Sequence, residues 1–454
     1  MVAFFKKSSA ANSGGNTDKS TDPYTGTDND TSNNGNTVKS QVADNDANSD
    51  ISSLEKQNIS EKVELSTIRW SIMIVFLCFS FTAIGINDSA TGSNLHNIQE
   101  RYSISYKQTS FLFLSNAGGY AVSSLCTCYV MFWIGVRWTI FFSAIIYSGG
   151  ALITSFAPPF GVIVVSLFLQ GVGSGFLDAA ATSVLALIAS ADVLSRVYAS
   201  FSLGSMTAPF IIGAFSQHHL TWNYFYFFPM SLGIVLASTA LWVFKHFTLP
   251  NQGDKKHEKD KSGTVNGRLK SILSRSEVYL ALVLVCLASS HQCINSQWSP
   301  SYFLLKGYEE DVSTYVVAGF WGGVTIGRLA GPTVFKKVYD KTRNISLVAL
   351  AMVFSGVIFA VDSLAARATL LCLTGLAWGP IAPASIDAGI SMVLEEEISI
   401  ITPLIICSGL LGASFAPFFF SFAADAFTAN ILQPVLIVVA GIELILFIFV
   451  PKKQ

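Results

Sequence analysis

The chain has 454 residues, 51% of them hydrophobic and 13% charged. Soluble domains carry about 25% charged residues, so this composition excludes an ordinary water-soluble fold and points to a membrane protein. The formal net charge of −1 gives no reason to expect a nucleic-acid partner.

Residues 1–66 are mostly Ser, Thr, Asn, Asp, Gly and Lys. Such a segment cannot bury enough apolar surface to offset its conformational entropy, and it reads as a disordered tail. It shows no charged start, apolar core and cleavage site, so it does not read as a signal peptide.

From Ile68 onward apolar stretches recur, each long enough to cross ~30 Å of hydrocarbon. Twelve spans are expected, at about 68–95, 108–132, 138–157, 160–189, 194–216, 223–246, 277–304, 314–338, 345–363, 367–394, 399–424 and 432–450. The organisation is then an N-terminal six-helix bundle over 67–246, a polar linker over 247–276 and a C-terminal bundle over 277–454. The fold class is all-α, with two related six-helix halves.

Lys and Arg set the orientation. If the tail is cytosolic, the inner loops hold sixteen (Arg137, Arg196, Lys245, seven between 255 and 275, Lys336, Lys337, Lys341, Arg343, Lys452 and Lys453). The outer loops hold four: Arg101, Lys107, Lys306 and Arg367. Both ends are therefore expected in the cytosol, at the plasma or vacuolar membrane, with a monomer as the working unit.

Polar residues inside the spans come next. In the first span, "AIGINDSATGSN", Asn87 lies four residues before Thr91, and Gly85, Asp88 and Thr91 recur every three. In the second, Asn116 stands in "NAGGYAV". In the fourth, "QGVGSGFLDAAATS", Gln170, Ser174, Asp178 and Thr182 recur every four residues, which stacks them along one side of a helix. In the seventh, Gln292, Asn295, Ser296 and Ser299 form a stripe beside Trp298; in the tenth, Thr374 and Trp378 do the same. A charged side chain at mid-membrane costs about 2.5–3.5 kcal/mol on insertion scales, so Asp88 and Asp178 demand a function. Amides and hydroxyls offer paired donors and acceptors, and aromatic faces stack on sugar rings. The set Asn87, Asn116, Gln170, Ser174, Gln292, Asn295, Trp298 and Trp378 is expected to bind a small hydroxyl-rich solute. Membrane amides also serve as interhelical glue, and for Gln170, Asn295 and Gln297 that alternative stays open. Asp387 lies 13 residues past Thr374, about 220° round an unbroken helix, and is expected to point away from the stripe. Glu443 reads as a structural or interface acid.

A shift of 204 residues places "NAGGYAV" (116–122) on "FWGGVTI" (320–326) and "QGVGSG" (170–175) on "TGLAWG" (374–379). One offset at two places argues for duplication, and paired bundles around a midplane site are a transporter design. No nucleotide-binding loop, zinc-protease motif or nucleophile elbow occurs; the six histidines and seven cysteines show no ligand spacing. No enzyme activity, cofactor or metal is expected.

These segments carry a family resemblance. "GINDSATGSNLHNIQERYSISY", "GVGSGFLDAAAT", "GFWGGVTIGRL" with "KKVYDK", and "GLAWGPIAP" resemble the major facilitator superfamily, and within it fungal relatives of the fucose–proton symporters. The resemblance covers about 68–450. It implies two bundles rocking about a central cavity, with Asp88 and Asp178 serving proton coupling. It implies gating roles for Arg137, Arg328 and Asp340. Three positions depart from the pattern: Gln292 stands where relatives often have glutamate, Phe132 and Trp133 replace an acid and a base before Gly135 and Arg137, and Asp387 replaces an asparagine. Two alternatives remain: an exporter of other organic compounds, and a sensor that binds solute without moving it.

Overall fold

The computed structural model describes residues 68–188, 191–245, 247, 275–335, 340–390 and 398–450. The tail, most of the expected linker and Lys336–Lys337 lie outside the described residues. The chain falls into two compact units, 1–74 and 75–454. Of the first, only residues 68–74 are described, and they are helical. All packing below belongs to the second.

Among the described residues ten helices are long and apolar enough to cross a bilayer, beginning with Ile68–Ser93 and ending with Ala429–Phe449. Two further spans complete the expected twelve. One is the first part of the long helix Tyr106–Ser155, which takes up the second and third spans. The other is Glu310–Val334, the eighth. The joint between spans two and three is Gly135, with φ +81° and ψ 162°. An L side chain rarely adopts that φ, so glycine lets the chain reverse without a loop.

The reversal is visible in the packing on span four (Phe160–Ile188). Ser115 donates to the carbonyl of Val164 and Asn116 to that of Leu167 at 3.3 Å, so span two rises alongside span four. The Oγ1 of Thr154 lies 2.8 Å from the Oγ of Ser166, and Gly173 meets Tyr147, so span three descends.

The 204-residue repeat is a spatial equivalence. A Cβ on Gly119 would overlap the carbonyl of Phe168 and lie 2.9 Å from the nitrogen of Val172. One on Gly323 would overlap the carbonyl of Cys372 and lie 2.8 Å from the nitrogen of Leu376. Every residue in the second set is 204 positions after its counterpart. The same shift takes the close approach of Gly171 to Asn116 onto that of Gly375 to Phe320. It also takes the contact of Gly85 with Ser205 onto that of Ser289 with Gly409. Two six-helix halves thus repeat one packing plan, as the sequence offset implied.

The tenth span departs from expectation. It is two helices, Leu364–Trp378 and Ile381–Ile390, broken at Gly379–Pro380. Pro380 has no N–H to donate, so one helical hydrogen bond is missing there, while Gly379 keeps helical dihedrals (φ −49°, ψ −49°). The eighth span also starts and ends about four residues earlier than the hydropathy pattern suggested, because Glu310 and Asp311 fall inside its first turn.

Candidate functional site

A cavity of about 560 Å³ lies between the halves. The first, second, fourth and fifth spans wall it on one side, and the seventh, eighth, tenth and eleventh on the other. It reaches Arg343 and Asp387 at the end of the bundle where the first span begins. At the opposite end the halves touch. Glu310 accepts from the Nδ2 of Asn97 and, at 3.0 Å, from Ser216. Tyr315 donates to Gln217 at 3.2 Å, and the backbone N–H of Lys107 donates to Asp425 at 3.2 Å. The Trp298 ring packs 5.7 Å from both Tyr106 and Phe113. Gly92 lies hard against Gln297, whose amide donates to the backbone carbonyl of Asp88.

Both intramembrane aspartates line the cavity. Asp178 is fully engaged: Tyr120 donates to its Oδ2, and Thr182, one turn along the same helix, donates to Oδ1 at 3.2 Å. Thr182 also lies 3.3 Å from the hydroxyl of Tyr198. Asp88 differs, since its Oδ2 is buried without a hydrogen-bond partner.

Arg328 lines the same cavity, 6% exposed, and joins the halves. It donates to the carbonyl of Tyr198 at 3.1 Å and to Ser202 at 3.4 Å, both in the fifth span. Its other terminal nitrogen donates to the Oε1 of Gln292 at 3.3 Å. The 204-residue shift carries Asp88 onto Gln292, so the two halves face each other with an acid on one side and an amide on the other.

Asn87, Asn116 and Gln292 also line the cavity. The other candidates do not. Gln170 is buried in its bundle and donates to Thr154 at 2.9 Å; Ser174 donates to the backbone carbonyl of Gln170 at 2.8 Å. Four-residue steps turn a helix by about 40° each, so Gln170 stands about 80° from Asp178 and leaves the wall. Asn295, about 60° round from Gln292, accepts from Ser299 at 2.8 Å inside the C-terminal half. Trp298 donates to the carbonyl of Pro417 at 3.2 Å, and Trp378 to that of Ala288 at 3.0 Å while stacking on His291 at 3.6 Å. All four aromatic and amide side chains are core.

Of the gating candidates, Arg328 lines the cavity and Arg137 and Asp340 do not. Arg137 lies over the Trp138 ring at 5.6 Å, and Asp340 pairs with Arg343 at 2.7 Å on the first turn of the ninth span. Glu443 is buried in the last span with both carboxylate oxygens unpartnered. Asp387, expected to face away, lines the cavity. Thr374 and Trp378, from which its angle was counted, are buried inside the C-terminal half, so the face away from them is the cavity wall.

Sequence reading missed Tyr120, Tyr198, Phe81, Phe113 and Phe201, which line the cavity. Tyr120 was within reach, four residues after Asn116 on the same helix face. The phenylalanines gave no signal, because an aromatic ring reads alike on a core, lipid or cavity face.

A sequence profile for the Major Facilitator Superfamily matches residues 77–417. The chain is similar to Bypass of stop codon protein 6 of Saccharomyces cerevisiae, 21% identical over 290 residues, covering 59% of this chain and 58% of that protein. It is also similar to MdtD of Yersinia enterocolitica, named provisionally for multidrug resistance, at 21% over 118 residues, a quarter of each chain. The chain thus spans well under two thirds of the length of either relative.

Proposed function

The chain belongs to the major facilitator superfamily, and from that premise we propose that it is a proton-coupled secondary transporter of a small organic solute, working by alternating access. It is an integral, multi-pass membrane protein of a transporter family. The observation that carries the proposal is the pair Asp88 and Asp178 on one cavity wall between two repeated halves. Asp178 is the coupling residue. The Tyr120 and Thr182 hydroxyls hold its carboxyl group in place while the cavity changes sides. Arg328 is a bolt between the halves that rocking must release.

Both chain ends face the cytosol in this reading, with a tail over 1–66, halves over 67–246 and 277–454, and a linker between them. The state described is then open towards the cytosol and shut outside. A hydroxyl-rich solute is not carried forward. Of the eight residues expected to bind it, Asn87, Asn116 and Gln292 line the cavity, while Gln170, Ser174, Asn295, Trp298 and Trp378 do not. The MdtD similarity agrees with other organic solutes.

The test is reconstitution of the full chain in proteoliposomes with a panel of radiolabelled sugars and organic amines. At least one solute is expected to accumulate uphill under an imposed pH gradient. Binding without movement of any bound solute would replace the transporter reading with a sensor.

A further inference from the structure

We infer that the central cavity is a site for an amphipathic organic amine, with the ammonium on Asp88 and the apolar body against the surrounding aromatic rings. The inference rests on the transporter reading and names the solute class.

Several donors on the wall are already engaged. Arg328 donates to Tyr198, Ser202 and Gln292. Asn116 gives its Nδ2 to Leu167 and Gln297 its Nε2 to Asp88's carbonyl. Tyr120 donates to Asp178. Buried on the wall with no partner are two acceptors, Asp88 Oδ2 and Gln297 Oε1, and one donor, Arg328 Nε. The Asn87 side chain, 6% exposed, opens on the same space. A buried acceptor without a donor is costly, and a ligand rich in N–H bonds removes that cost.

Charge points the same way. Asp88, Asp178 and Asp387 line the cavity with Arg328 and Arg343, and Arg343 has its own counterion in Asp340 at 2.7 Å. The wall therefore carries more acid than base, which favours a cation. Phe81, Phe113, Phe201, Tyr120 and Tyr198 supply ring faces, which attract a cation beside them as well as an apolar body. The volume of about 560 Å³ lies within the ~300–1,000 Å³ of small-molecule pockets.

The experiment is calorimetric titration of the full-length protein in detergent with 2-phenylethylamine, its uncharged analogue 2-phenylethanol, and glucose. The amine is expected to bind about tenfold or more tightly than the alcohol, and glucose more weakly than either. Asp88→Asn should bring the amine-to-alcohol ratio close to one, and Asp88→Glu should keep the amine preferred. If Asp88→Asn does not fold, the wild-type ratio and the Asp88→Glu ratio decide. Equal binding of amine and alcohol, no amine binding, tighter glucose binding, or an unchanged ratio in Asp88→Asn overturns the site. Amine binding that depends on Asp88 without pH-driven accumulation would overturn transport and leave the site standing. Uphill accumulation of another solute without amine binding would do the reverse.

Discussion

The hydroxyl of Tyr120 donates to Oδ2 of Asp178 across the packing of the second span on the fourth. With Thr182 on Oδ1 at 3.2 Å, this fixes the carboxyl group in one orientation on the cavity wall. Asp178→Asn keeps the shape of the protonated acid and removes the titration. The expected outcome is normal folding and solute exchange, with uphill accumulation under a pH gradient falling to a ratio of about one because no proton is carried. Tyr120→Phe should leave coupling present but weaker. Wild-type accumulation by Asp178→Asn in proteoliposomes would assign this carboxyl a purely structural role.

Arg328 reaches from the eighth span to the fifth, with an amide, Gln292, where a carboxylate would pair with it. Gln292→Glu supplies that carboxylate. The variant should unfold at a higher temperature in detergent and exchange solute more slowly, since a charged pair holds the arginine more strongly than a neutral amide. Faster exchange would show that Arg328 does not limit the rocking of the halves.

Glu310 takes hydrogen bonds from Asn97 and Ser216 in the other half, at the end where the eighth span begins. Glu310→Ala removes both and should shift the population towards outward opening. Cys293 lines the cavity and reports it. With the other six cysteines replaced, labelling of Cys293 by an impermeant thiol reagent from outside should rise several-fold, about what loss of 1–2 kcal/mol gives. No change would place the outer closure elsewhere.

Gly171 and Gly375 hold equivalent places in the two halves, each against a backbone carbonyl, of Asn116 and Phe320 respectively. Alanine at either should cost about 1–3 kcal/mol by overpacking, visible as a lower unfolding temperature. Gly118 meets nothing within 4 Å, and Gly118→Ala should be neutral. If all three behave alike, close packing at the repeat is not what the glycines provide.

A cysteine at Ser262, in the linker between the halves, should label only in permeabilised cells if both ends are cytosolic. The triplet Asn29-Asp30-Thr31 should carry no glycan for the same reason. Labelling of Ser262→Cys from outside would invert the topology and make the described state open to the exterior.

The sequence by itself determined the class, the twelve spans and the duplication. Hydrocarbon thickness sets a span length that composition reveals directly. The 204-residue offset survives because glycines at Gly119, Gly171, Gly323 and Gly375 meet backbone atoms, and no larger residue fits there. It also singled out Asp88 and Asp178, because an acid in an apolar stretch is conspicuous. The tertiary structure decided which polar residues share a cavity. Gln170 and Asn295 differ from Asp178 and Gln292 by only 60–80° of helix rotation. Such a turn swaps a cavity wall for a bundle core, and hydropathy along one helix does not show where the neighbouring helices stand. Trp298 and Trp378 became core, and Phe81, Phe113 and Phe201 became wall, for that reason. Asp387 faces the cavity because the stripe of Thr374 and Trp378, which it faces away from, turned inward to the core.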